Sequence, residues 1–194
     1  MNTRRYQMSA RAQAAEQTGN RIVDAMLERF SSTPYDQIRL EDVADDAAVT
    51  VQTVLRRFGS KSGVMRAVVQ RELGTIAAAR AAADTSDPER TIAELVAHYE
   101  RYGALILKAY SEAPFIDGLV ELVGAGRRQH LNWCRDAFAE HLEPGLDQTT
   151  RARRRAQLTA ICDATMWRIL REDLRLSRTQ TRMALTEMVS PLLA

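Results

Sequence analysis

The chain has 194 residues, 45% of them apolar and 27% charged. That balance suits one or two globular domains and excludes a wholly disordered chain or a membrane-embedded bundle. A net charge of +2 is too small to announce a nucleic-acid partner by itself, so the placement of the cations has to decide.

Residues 1–17 carry Arg4, Arg5 and Arg11 with no apolar run behind them, unlike a secretory leader, and read as a flexible basic arm in a cytoplasmic chain. Such an arm either reaches the minor groove of DNA or stays a disordered tail. The first helix is expected near Thr18, a capping residue type, with Ile22, Met26 and Phe30 on one buried stripe and a stop at Ser31-Ser-Thr-Pro34. A second, short helix over about Leu40–Ala47 should bury Val43 and Ala44. The third begins after Thr50, turns Val54 and Phe58 inward and Gln52, Arg56 and Arg57 elsewhere, and ends at Gly59. A fourth runs from about Ser62 to Ala83 and closes in an alanine-rich stretch.

Asp87-Pro88-Glu89 is a helix start, and that helix should continue to about Ser111, before Pro114. Two shorter helices are expected over Pro114–Val123 and Arg127–Leu142, the latter stopped by Glu143-Pro144-Gly145. Long helices over Thr150–Leu174 and Ser177–Leu193 finish the chain, with Ser177 and Gln180 at capping-box spacing. No strand pattern competes, so the fold class is all-α. Cys134 and Cys162 lack Cys-x-x-Cys spacing and read as packing residues.

Two short helices joined by a tight turn and braced by a third form a helix-turn-helix, the unit that lays its second helix in the major groove. The order of residues also resembles the TetR family of transcriptional regulators. The matching positions are Thr18-Gly-Asn-Arg-Ile22, Pro34-Tyr35, Leu40-Glu-Asp-Val-Ala44, Val49-Thr50 and Thr53-Val-Leu-Arg-Arg-Phe-Gly-Ser-Lys61, covering about Thr18–Val69. That resemblance implies an N-terminal DNA-binding domain over 18–65 and a helical ligand-binding and dimerisation domain over 66–194. It implies DNA contacts at Thr50, Val51, Gln52, Thr53, Leu55, Arg56, Arg57 and Lys61.

Val51 and Leu55 suit a thymine methyl, Gln52 an adenine, and the two arginines guanine or phosphate, with Lys61 as a phosphate anchor. The alternative for Arg56 and Arg57 is a solvated helix face. Ala48 stands where relatives carry a turn glycine, a change costing roughly 1 kcal/mol if the position needs a positive φ. The carboxylates Glu41, Asp42, Asp45 and Asp46 should face away from DNA.

Adjacent half-sites about 34–36 Å apart require two helix units, hence a homodimer on double-stranded operator DNA. The interface is expected from Trp167, Leu170 and Leu174 with Leu185, Met188, Val189 and Leu192, as part of a four-helix contact; the alternative is that these stripes are core. A small-molecule effector is assigned to His98, Tyr99, Tyr102, His130, Trp133 and Met166, which combine apolar bodies with polar tips, although each also suits a core position.

The chain is therefore read as a repressor that binds a palindromic operator and is released by its effector, with a helical interaction module or an enzyme as alternatives. No nucleophile–base set or metal-ligand spacing accompanies the three histidines, so no catalytic residue, metal or cofactor is expected.

Overall fold

The computed structural model describes residues 3–142 and 145–193, with side chains from residue 12 onward. Its helices are α1 (Thr3–Ser32), α2 (Leu40–Asp46), α3 (Val51–Phe58), α4 (Lys61–Ala81), α5 (Pro88–Glu112), α6 (Leu119–Ala137), α7 (Gln148–Ile161), α8 (Ala164–Arg168) and α9 (Arg178–Leu193). Single 3-10 turns occupy Tyr35–Gln37 and Ala113–Phe115, and a wide π turn over Ile169–Asp173 extends α8. There is no strand among the described residues.

The chain forms two compact units, 1–74 with 112–123, and 75–111 with 124–194. The core of the first unit gathers Ile22, Met26 and Phe30 from α1, Val43 and Ala44 from α2, Val54 from α3, and Val64, Met65 and Val68 from α4. This is the expected α1 stripe meeting the apolar positions of the short helices. Phe58, expected inside, is half-buried. The core of the second joins Ile92, Leu95, Val96 and Tyr99 of α5 to Cys134 and Phe138, Leu158, Trp167, Leu170, Leu185 and Val189.

Several boundaries differ from the sequence expectation. Helix α1 starts at Thr3, not near Thr18, because the alanine-rich run around residues 10–15 favours helix. Thr18 therefore caps nothing; its hydroxyl donates back to the Ala14 carbonyl at 2.9 Å inside the helix. The segment around Gly124-Ala125-Gly126 does not break α6, which is one helix from Leu119. Burial of Cys134 and Ala137 along the same helix outweighs the weak propensity of its glycines. The stop expected at Glu143-Pro144 lies outside the described residues, as do the Arg4, Arg5 and Arg11 side chains.

The long helix expected over Thr150–Leu174 is interrupted at Cys162–Asp163. Asp147 opens α7 by accepting from Thr149 and Thr150 N–H, and Asp163 restarts the chain by accepting from Thr165 N–H at 2.8 Å. The capping box opening α9 is present in full: Gln180 Oε1 accepts from Ser177 N–H at 3.0 Å and Ser177 Oγ from Gln180 N–H at 3.2 Å.

Of the residues expected at a dimer interface on the last helices, Trp167, Leu170, Leu185 and Val189 are buried within the second unit, in one cluster with residues of α5, α6 and α7. Leu192 packs partly against the same core, while Leu174 and Met188 remain exposed.

Candidate nucleic-acid interface and effector cleft

Helix α3 is fixed at both ends by residues chosen for the task. Thr50 has extended backbone and its hydroxyl accepts from Thr53 N–H at 3.2 Å, while Gly59 at φ 80° lets its N–H return to the Leu55 carbonyl. The turn before it places Ala48 at φ 52°, so the conformation that glycine adopts freely is here imposed on alanine. Thr50, Gln52, Leu55, Arg56 and Arg57 are exposed; Val51 and Thr53 are half-buried.

The exposed side chains are not equivalent. The Arg57 guanidinium lies against Gly19 of α1, filling the space a Cβ would need, and sits 5.8 Å from the centre of the Phe58 ring. Arg56 has no such seat. Lys61, expected to anchor phosphate, donates to the carbonyls of Tyr35 at 2.8 Å and Ile38 at 2.9 Å, with its ammonium 4.2 Å from the Tyr35 ring centre. Two of its three donors thus pin the 3-10 turn before α2, and one is left for an outside partner.

The acidic residues of α2 are partly occupied within the chain. Arg29 of α1 bonds Asp46 at 2.5 Å and approaches Asp42 at 3.7 Å. That hydrogen bond holds the Asp46 carboxyl below the usual range and raises Arg29. These two carboxylates are turned to Arg29 of α1. Gly19, the seat of Arg57, was not singled out from sequence; a small residue aligned with a recognition-helix arginine leaves no pattern of its own.

In the second unit a cleft of about 210 Å³ opens between α4, α5 and α6. Of the six expected effector residues, His98, Tyr102 and Trp133 line it. Tyr99 instead points inward, its hydroxyl donating to the Cys162 carbonyl at 2.8 Å, and burial pushes its pKa well up. Met166 packs on the core. His130 is buried behind the cleft, with Nδ1 at 3.1 Å from Arg80 Nη1 and Nε2 at 3.5 Å from Cys134 Sγ.

Arg80, Glu94 and Arg101 also line the cleft and were missed. The only sequence signal for Arg80 was a lone cation inside an alanine run. Its guanidinium stacks 4.9 Å from the Trp133 ring centre, and that of Arg101 lies 5.1 Å from Tyr102. His98 is held neutral, its pKa lowered to about 3 by burial first, then by Arg80 and His130. The Cys162 thiol and His130 push the Cys134 thiol below its ordinary pKa, whereas the Cys134 thiol and burial push Cys162 well up. Both cysteines are buried, as expected, but they form a pair that their spacing of 28 positions did not reveal.

Among the described residues no helix is long and apolar enough to cross a membrane, and no three His, Cys, Asp or Glu side chains cluster as metal ligands.

Residues 22–68 match the family model described as bacterial regulatory proteins, tetR family. Among solved structures, a transcriptional regulator from Rhodococcus sp. Rha1 is similar at a TM-score of 0.72 and 14% identity, covering 90% of this chain and 95% of that one. A tetR-family transcriptional regulator from Streptomyces coelicolor gives 0.66 and 14%, covering 91% and 80%. The transcriptional regulator FadR from Bacillus subtilis, solved in complex with stearoyl-CoA, gives 0.64 and 16%, covering 87% and 96%. At these identities the likeness is one of fold. No curated protein matches the chain.

Proposed function

We propose, from a helix-turn-helix that matches the tetR family model over residues 22–68, that the chain is a TetR-family homodimeric repressor released from a palindromic operator by a small-molecule effector. The observation that carries the reading is α3 itself: capped by Thr50, stopped by Gly59, and exposing Gln52, Leu55 and Arg56 along one short helix. An α-helix fits the major groove, where an amide pairs with adenine, an arginine with guanine and an apolar side chain with a thymine methyl. Thr50, Val51, Thr53 and Arg57 border that face, and Lys61 keeps one donor for a phosphate.

The domain roles follow the same reading: residues 18–65 recognise DNA, and residues 66–194 hold effector and partner. The cleft beside α5 is the effector site. At the end of that helix Glu112 accepts from Tyr35 N–H at 2.8 Å, and just beyond it Asp117 pairs with Arg66 at 3.5 Å. Lys61 holds the carbonyl of the same Tyr35. Movement of α5 would therefore be felt at the turn that precedes α2. For release, the effector must bind the non-DNA conformation more tightly, since equal affinity shifts nothing.

Selection of bound fragments from genomic DNA, followed by footprinting, tests the reading. We expect a protected inverted repeat with half-sites about one helical turn, or a multiple of it, apart. Binding without sequence preference would remove the operator, and protection of a single half-site would remove the dimer.

A further inference from the structure

We propose that the cleft of the second unit binds a small aromatic monocarboxylate, of benzoate to phenylacetate size, with its carboxylate on Arg80 and its ring against Trp133 and Tyr102. This rests on the reading of the cleft as the effector site and names the chemical class it takes.

Charge is the first argument. Arg80 lines the cleft, and its polar partner there is Nδ1 of His130; no carboxylate forms an ion pair with it among the described residues. Its Nε is buried without a hydrogen-bond partner. An unpaired buried donor costs about 1–3 kcal/mol, more when charged, so the site is incomplete as it stands. His98 Nε2, on the facing helix, is likewise buried and unpartnered. In its Nε2–H tautomer the neutral imidazole donates one hydrogen bond. A carboxylate bound between these two side chains would satisfy both, and a planar guanidinium suits it as a bidentate partner. Glu94 is the sole acid lining the cleft and is exposed, against the two cations Arg80 and Arg101, so the balance favours a single negative charge.

Size and shape supply the rest. A cavity of about 150 Å³ is enough for benzene, whereas drug-sized ligands occupy roughly 300–1,000 Å³. The cleft, at about 210 Å³, holds a ring and a carboxylate and little more. Its walls are alanines at 79, 83 and 97 between the indole of Trp133 and the phenol of Tyr102, surfaces on which a flat ring loses little on desolvation.

The test is calorimetric titration of the full chain without DNA, so that its result stands whether or not the operator reading survives. Phenylacetate and benzoate are expected to bind, with phenylacetamide, the neutral isostere, at least tenfold weaker. Arg80→Gln should remove that preference for the acid, leaving acid and amide equal, with circular dichroism confirming the fold. The acid-against-amide comparison needs no variant and decides the matter if Arg80→Gln fails to fold. No binding of either acid at several millimolar, equal binding of acid and amide by the native chain, or hexanoate binding as tightly as phenylacetate would each overturn the assignment.

Discussion

Arg56 and Arg57 are adjacent in sequence and do different work. Arg57 lies on Gly19 and the Phe58 ring, so its removal uncovers a contact between α1 and α3. Arg56 is exposed with no comparable seat. Arg56→Ala should weaken operator binding by about 10–100-fold, the worth of one base or phosphate contact, with stability changed by less than about 0.5 kcal/mol. Arg57→Ala should lower the melting temperature as well. Fluorescence anisotropy on the selected operator and thermal melts separate the two; a stability loss confined to Arg56→Ala would invert the assignment. Ala48 offers a complementary gain. Its φ of 52° penalises alanine, so Ala48→Gly should stabilise the fold by up to about 1 kcal/mol in urea denaturation, less the entropy glycine adds to the unfolded chain.

His98 gives a pH dependence with a defined sign. Its pKa is about 3 in the folded chain against 6.5 ordinarily, so below pH 6.5 the unfolded chain takes up a proton that the folded chain refuses. Its contribution is fully present above pH 6.5 and is lost as pH falls towards 3. Asp46 and Glu100, both held below the usual carboxylate range by arginine hydrogen bonds, lose their contributions only at lower pH, through the carboxylate range. Denaturation at pH 7.5, 6.0 and 5.0 should show stability falling over that window, and His98→Phe should flatten it. An unchanged slope in that variant would mean that another group titrates.

At the scale of elements, α5 and α8 meet through a glycine. A Cβ on Gly103 would stand 2.6 Å from the Trp167 ring, so the indole packs directly on the α5 backbone. Glu100, one turn earlier, accepts from Trp167 Nε1 at 3.0 Å and is gripped by Arg171 at 2.6 and 3.0 Å. The π turn over Ile169–Asp173 carries Arg171, and this fork fixes it against α5. Gly103→Ala should cost about 1–3 kcal/mol by overpacking, read in urea denaturation with the slope unchanged. A neutral result would mean that Trp167 has room to move. Helix ends with a chemical signature were legible in the sequence: Thr50 and Gly59 around α3, Asp87 before α5, and Ser177 with Gln180 before α9. Breaks set by packing were not. Gly124 and Gly126 mimic a stop that α6 ignores, and Asp163 reads as an ordinary polar residue until the chain turns there. In the cleft the aromatic residues were legible by type, but the direction of Tyr99, one residue from His98, depends on how α5 rotates against Cys162.

At the scale of the whole molecule, the proposed dimer is where periodicity is least informative, for a physical reason: an apolar stripe at helical spacing looks the same whether it meets its own chain or a second copy. Trp167, Leu170, Leu185 and Val189 went to the core of the second unit. What the last helices leave for a partner is Met188, 39% exposed, and Leu174, 62% exposed, joined by Met183 at 53%. Exposed apolar side chains of this kind carry a stable interface only when several act together and are buried on association. Met188→Arg should therefore weaken the dimer by placing an unpaired charge in the contact, while the folded content of the chain stays the same. Operator affinity should fall with it, since each half-site then binds without its neighbour. Trp167→Ala, by contrast, should cost about 3–5 kcal/mol of folding stability, whatever the concentration. Sedimentation velocity across a dilution series distinguishes them: Met188→Arg shifts the native chain from dimer to monomer, and a variant that stays dimeric at every concentration would place the interface on another face.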